Sequence, residues 1–158
     1  MAASFSVGDL APDFSSTTNT GERVSLSGFR GRPVVLYFYP RDNTPACTAQ
    51  ACQLRDSYEA FTAAGAVVIG ISSDDDTSHA AFAAKHRLPF SLISDRGGRL
   101  RELYKVPKTF LLFPGRVTYV IDAQGVIRMI FNSQLNISGH VGRALKALRE
   151  LPPSQPAG

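Results

Sequence analysis

Cys47 and Cys52 are the two cysteines of this 158-residue chain, and their setting decides what chemistry they can carry. Thr44-Pro45 stands just ahead of Cys47. That pair signals a helix start, because a threonine hydroxyl can accept from an orphan N–H of the first turn and proline suits the first helical position. Cys47 then falls in the first turn, where unpaired backbone N–H groups and the positive end of the helix dipole favour an anion. For a cysteine that anion is the thiolate, the nucleophilic form.

Four readings of the pair follow. Both cysteines could be inert helix residues, since free cysteine is among the most buried residue types. They could serve a metal, although with His79, His86 and His140 scattered along the chain they match no usual zinc spacing. An ordinary dithiol oxidoreductase needs Cys-x-x-Cys, whereas here four residues intervene. The fourth reading is a thiol peroxidase. Five residues of α-helix turn about 140° past one full turn and rise about 7.5 Å, placing the Cα atoms roughly 8–9 Å apart. A disulfide needs them within about 7 Å. If Cys47 and Cys52 join, the first turns of the helix must unwind.

The elements that position the cysteines are legible from period and punctuation. Val34 to Tyr39 is an apolar run that reads as a strand buried on both faces, ending in a turn from Pro40 to Asn43. A helix is expected from Pro45 to about Ala64, with Cys47, Ala51, Leu54, Tyr58 and Phe61 on one side and Gly65 as its stop. Ala66 to Ser72 is a second buried strand, so a parallel βαβ unit results, and sites in such sheets collect at the carboxyl ends of strands.

Earlier in the chain, residues 1–14 read as a lead-in extension in which Phe14 packs at the domain edge, Ser15 to Arg23 as turns, and Arg23 to Ser27 as a half-buried or edge strand. Later, Thr77 or Ser78 is the expected cap of a helix through His86 that Pro89 stops, followed by a short strand at Phe90–Ile93 and a short helix at Gly98–Tyr104. Val106 to Gly115 is expected to be an ordered loop. Val117–Ile121 and Val126–Phe131 flank Asp122-Ala123-Gln124-Gly125 as a hairpin, and Ser138 is expected to cap a last helix. The order predicts an α/β, thioredoxin-like fold with a central mixed sheet flanked by helices on both faces, in one domain over residues 1–151. A disordered tail is expected at 152–158.

Composition narrows the classes. Hydrophobic residues make up 44% of the chain, and no run of about 18 apolar residues predicts a membrane span. The formal charge is +4, but the Lys and Arg residues are dispersed rather than gathered into a tract, which argues against nucleic acid as a partner. Met1 to Val7 lacks the basic start and apolar stretch of a secretory signal. A reducing, cytoplasmic setting is therefore expected, with the plastid stroma as the alternative if a transit peptide has been removed.

Pro40-x-x-x-Thr44-x-x-Cys47 resembles the active-site motif of peroxiredoxins. With Cys52 five positions on, the chain is similar to the atypical two-cysteine subgroup called peroxiredoxin Q or bacterioferritin comigratory protein. The likeness extends through Ala11-Pro12-Asp13-Phe14, Arg55-Asp56-Ser57, Gly70-Ile71-Ser72, Leu88-Pro89-Phe90, Ser94-Asp95 and the stretch from Gly115 to Asp122. Pro114-Gly115-Arg116 most resembles plant and cyanobacterial members. The resemblance implies that Cys47 is the peroxidatic cysteine and Cys52 the resolving one, joined to it in an intramolecular disulfide during turnover. It implies that Thr44 orients peroxide and sulfur, Arg116 stabilises the thiolate and the developing charge, and Pro40 shields the sulfur from water. It further implies no metal, haem or flavin, a thioredoxin or similar dithiol as reductant, and a monomer. Two positions depart from the pattern: Ala46 stands where many members have glycine, and Gln50 where some have an acid. Two functions of other classes compete with this one. They are a redox-responsive interaction protein whose helix unfolds on oxidation, and a reductase of protein disulfides.

Overall fold

The computed structural model describes residues 5–109 and 113–151. In chain order the elements are β1 (Ser15–Thr17), β2 (Arg23–Ser25), β3 (Val34–Phe38), α1 (Pro45–Asp56), α2 (Tyr58–Ala63), β4 (Val67–Ser72), α3 (Asp76–His86) and β5 (Ser91–Ser94). Then follow α4 (Arg99–Leu103), β6 (Lys108–Thr109), β7 (Phe113–Pro114), β8 (Val117–Ile121), β9 (Ile127–Asn132) and α5 (Ile137–Glu150). Five strands form one mixed sheet in the order β5-β4-β3-β8-β9. β3 runs parallel to β4 and antiparallel to β8, so the βαβ unit and the hairpin meet on the central strand, as the sequence predicts. This is a thioredoxin-like arrangement.

Strand alternation sorts the core into two layers. Val35, Tyr37 and Tyr39 face one layer with Cys47, Ala51 and Leu54 of α1, Phe61 of α2, and Val141, Ala144 and Leu148 of α5. Val34, Leu36 and Phe38 face the other, with Phe14, Leu26, Leu100 and Tyr104. Helices thus cover one face in depth. The opposite face is closed by the lead-in segment and the short α4, and Phe14 meets Tyr104 edge-on there with ring centroids 6.2 Å apart. The catalytic candidates lie against the first layer.

Several local expectations shift. The single helix expected from Pro45 to Ala64 is two, broken at Ser57 (φ −99°, ψ 5°). The break re-aims α2 so that Phe61 is fully buried. Ser15–Thr17, expected as turns, pairs antiparallel with β2 around Gly21, whose φ of +86° suits a reversal only glycine adopts freely. Helix α3 is capped by the Asp75 carboxylate, which accepts from Ser78 N at 2.8 Å, rather than by Thr77 or Ser78; Ser78 spends its hydroxyl on Asp42 instead. Helix α5 starts two residues earlier than Ser138 would set, because Asn136 Oδ1 accepts from Gly139 N at 3.0 Å. Within the expected Val106–Gly115 loop, β6 and β7 pair antiparallel, while 110–112 lie outside the described residues, as does the tail expected at 152–158.

The hairpin holds as predicted. Gly125 has a φ of +87°, and the Asp122 carboxylate accepts from the N–H groups of Gln124 at 2.9 Å and Val126 at 3.0 Å and from Arg128 Nε at 2.7 Å. No helix among the described residues is long and apolar enough to cross a membrane.

Candidate active site

The site is built where β3 ends and α1 begins. Pro40 is half-buried just past the strand, and Asn43 takes a left-handed conformation, φ +66°, which asparagine tolerates better than most side chains. That reversal delivers Thr44 to the cap position. Its Oγ1 accepts from Cys47 N at 3.3 Å and donates to Arg41 O at 3.3 Å. Cys47 therefore sits in the first turn of α1, 2% exposed, as the Thr-Pro signal predicts.

Arg116 reaches the same sulfur from the start of β8. Its Nη2 donates to Cys47 Sγ at 3.2 Å, its Nη1 to Gln50 Oε1 at 2.5 Å, and its Nε to Gln134 O at 3.1 Å. The guanidinium is 2% exposed. All three partners are neutral or the thiol itself, so no carboxylate contact takes up the Arg116 charge among the described residues. A buried cation without a carboxylate is placed to stabilise negative charge that develops in a reaction at the group it touches, here Cys47 Sγ. The amide Nε2 of Gln50 is buried without a partner.

Four of the five residues singled out in the sequence thus converge: Thr44 and Arg116 both bond Cys47, and Pro40 closes the preceding turn. Cys52 does not join them. It is half-buried on another side of α1, with Sγ 3.8 Å from His86 Nδ1, and both cysteines are free thiols.

Sequence reasoning passed over the groups that hold this site in place. Arg101 donates through Nη2 to Tyr39 O and through Nη1 to Gly115 O, both at 2.9 Å. One guanidinium thereby ties the end of β3, ahead of Pro40, to the residue ahead of Arg116. Asp42, inside the turn, is 3% exposed; its carboxylate accepts from Tyr39 Oη at 2.6 Å, Ser78 Oγ at 2.8 Å and His79 Nδ1 at 2.7 Å. His79 Nε2 lies 3.0 Å from Ile93 O. Since a carboxylate and a carbonyl only accept, His79 donates through both nitrogens and is an imidazolium. Burial is the largest single influence and opposes the charge on each partner, but the mutual bond and charge, with the Tyr39 and Ser78 bonds to Asp42 and the Ile93 bond to His79, together outweigh it: His79 is held above the usual histidine range and Asp42 below the usual carboxylate range.

Asp74 completes a group of three potential metal ligands with Asp42 and His79. Its Oδ2 already accepts from Ser72 Oγ at 2.6 Å and from Asp42 N at 2.8 Å. With His79 donating rather than offering a lone pair, the group is a satisfied hydrogen-bond network and a poor cation site. The third histidine is of the opposite kind. His140 Nε2 donates to Ser133 O at 2.6 Å and Nδ1 accepts from Thr118 Oγ1 at 2.7 Å. Burial above all, together with the nearby Arg116 charge, pushes its pKa down to about 4.

Comparison with known proteins agrees with this geometry. The AhpC/TSA family pattern matches residues 7–130. The chain is 52% identical over 147 residues to chloroplastic peroxiredoxin Q of Triticum aestivum, covering 92% of this chain and 68% of that protein. It is 49% identical over 152 residues to the Suaeda salsa protein of the same name, covering 96% and 71%. Among solved structures, Mycobacterium tuberculosis peroxidoxin BcpB superposes with a TM-score of 0.85 at 35% identity, over 92% of this chain and 97% of that one. Xylella fastidiosa PrxQ gives a TM-score of 0.86 at 26% identity, over 94% and 98%. The chain belongs to the AhpC/TSA family, whose members of this type are thiol peroxidases. Its relatives are of the peroxiredoxin Q and bacterioferritin comigratory protein kind, the subgroup that the Pro40–Cys52 stretch resembles.

Proposed function

We propose that this peroxiredoxin reduces hydrogen peroxide and organic hydroperoxides through Cys47, resolves the product with Cys52, and is recycled by thioredoxin. The observation that carries the proposal is the Arg116 Nη2 to Cys47 Sγ contact at 3.2 Å at the start of a helix whose cap, Thr44, holds Cys47 N. The Cys47 thiolate attacks the outer oxygen of the peroxide. An S–O bond forms, the O–O bond breaks, and the alcohol or water that leaves takes a proton. Arg116 donates where negative charge redistributes between sulfur and the departing oxygen, a task for preorganised donors. Thr44 Oγ1, whose proton is lent to Arg41 O at rest, turns to the bound peroxide, and Pro40 limits water at the sulfur.

The second step joins Cys47 and Cys52 with loss of water. It requires α1 to melt from its N-terminus, because a regular helix keeps Cα atoms five residues apart beyond disulfide reach. An intrachain pair needs no second subunit, which supports a monomer as the working unit. No metal or organic cofactor enters either step. The plant relatives carry the word chloroplastic in their names, which is compatible with the stroma; the cytoplasm is the other reducing setting that suits two free thiols. The test is peroxide consumption by the purified protein with thioredoxin, its reductase and NADPH. Turnover is expected with wild type and none with Cys47→Ser. Absence of turnover with any thiol donor would contradict the proposal.

A further inference from the structure

Cys52 has surroundings of its own, and the first oxidation uses none of them. His86, the last residue of α3, places Nδ1 3.8 Å from Cys52 Sγ. Arg55, one turn after Cys52 on α1, donates through Nη1 to His86 O at 2.8 Å and through Nε to Asp56 at 3.0 Å. The His86 ring also packs edge-on against buried Phe82, with centroids 5.0 Å apart. The His86 backbone is thus tied to α1 and its ring rests on Phe82 beside the sulfur, half-buried rather than sealed. We propose that His86 is the proton acceptor for the resolving thiol of Cys52. This inference rests on the reading of Cys52 as the resolving cysteine and deepens it.

Attack on a Cys47 sulfenic acid needs the Cys52 thiolate, not the thiol. In its neutral form with the proton on Nε2, His86 takes the Cys52 proton at Nδ1. The Cys52 electron pair forms the S–S bond with Cys47 sulfur, the S–O bond of the sulfenic acid breaks, and hydroxide leaves with the S–O bonding pair. The proton on His86 then neutralises the hydroxide as water, so atoms and charge balance: one thiol and one sulfenic acid give one disulfide and one water.

The packing of α1 keeps the base and the thiol together while the helix opens. Ala51 and Leu54, which flank Cys52, are buried in the core, and Arg55 anchors the following turn to the end of α3. Residues Pro45 to Ala49 are exposed or half-buried apart from Cys47. Melting from the N-terminus therefore carries Cys47 toward Cys52 and leaves Cys52 beside His86. The charged group in contact with His86 is Arg55 of α1, itself paired with Asp56; exposed Lys85 and Arg87 are its neighbours in the chain.

Rapid-quench mass spectrometry, following Cys47 sulfenic acid and the disulfide separately after one equivalent of hydrogen peroxide, tests this. His86→Gln is expected to form sulfenic acid at the wild-type rate and to form the disulfide about 10²-fold more slowly, the low end of what a positioned acid–base group contributes. The pH dependence of wild-type resolution should show an inflection that His86→Gln lacks, and added imidazole should restore the rate in His86→Ala. As a readout that needs no variant, the inflection in wild type alone supports the inference, and its absence overturns it. Equal resolution rates in wild type and His86→Gln would also overturn it, as would parallel slowing of both steps, which marks a structural role. If wild type forms no Cys47–Cys52 disulfide at all, the underlying reading of Cys52 fails and this inference with it.

Discussion

Cys47 and Cys52 share one helix, yet the roughly 140° of rotation between them turns each toward different company. Cys47 faces β8 and a permanent cation, Arg116 at 3.2 Å, and is 2% exposed. Cys52 faces α3 and a titratable group, His86 at 3.8 Å, and is half-buried. The difference matches two kinds of work. In the proposed cycle the first sulfur meets peroxide in a dry setting, with a fixed cation placed where charge develops. The second, in the same proposal, attacks the resulting sulfenic acid and hands its proton to the group beside it. Near Arg116 the buried histidine is kept neutral: burial above all, with the Arg116 charge, pushes the His140 pKa down to about 4, so His140 sets no second buried cation beside Arg116.

Removing Cys52 divides the two environments most sharply. Cys52→Ser is expected to abolish thioredoxin-dependent turnover while leaving one oxidation per Cys47, read as a single burst of peroxide loss in a stopped assay. Continued turnover in this variant would mean that another thiol resolves Cys47. Arg116→Gln tests the other side. It keeps a donor of similar reach but deletes the charge, and the rate of Cys47 sulfenic acid formation should fall roughly 10²- to 10³-fold, the loss typical of one preorganised donor. The resolution step, which belongs to Cys52, should change far less.

The smallest expected effect is on stability against pH, and its sign differs between the two buried histidines. His140 has a folded pKa near 4 against an ordinary value near 6.5. Its contribution is therefore present above about pH 6.5 and is lost as pH falls toward 4, by up to about 1.4 kcal/mol per unit. His79 is raised, so its contribution is full below its unfolded value and declines as pH climbs through the folded one; Asp42 is lowered and loses its share only in acid. Thermal melts should show stability rising between pH 4 and 6.5, and His140→Gln should flatten that rise. An unchanged acid limb in the variant would assign the slope to other groups.

How much of this was legible in the sequence follows from sequence separation. Pro40, Thr44 and Cys47 lie within one strand end and one helix turn, where local rules operate, and the cap bond forms as read. Arg116 is 69 residues from Cys47 in the chain, and only the family resemblance singled it out, since one arginine before a strand carries no local signal. Arg101, bridging Tyr39 and Gly115, and the Asp42–His79 pair join elements 62 and 37 residues apart. Neither spacing has a period that would betray it. The break at Ser57 was hidden for another reason: no glycine or proline marks it, and Leu54, Tyr58 and Phe61 continue the helical period straight through.

Asp42 and Arg101 also explain how one end of α1 can melt without dismantling the site. Asp42 is bonded to Tyr39, Ser78, His79 and Asp74, so the turn before Thr44 stays fixed to α3 and the sheet. Leu54 and Ala51 hold the far end. The segment free to unwind lies between these two anchors, and it contains Cys47.

The central claim is that Cys47 is oxidised first and is then joined to Cys52 within one chain. Peptide mapping by mass spectrometry after one equivalent of hydrogen peroxide tests it most directly. The expected result is an intact chain two hydrogens lighter, with the loss mapped to a Cys47–Cys52 link. An oxygen retained on Cys47 with Cys52 still a free thiol, or a disulfide joining two chains, would contradict it.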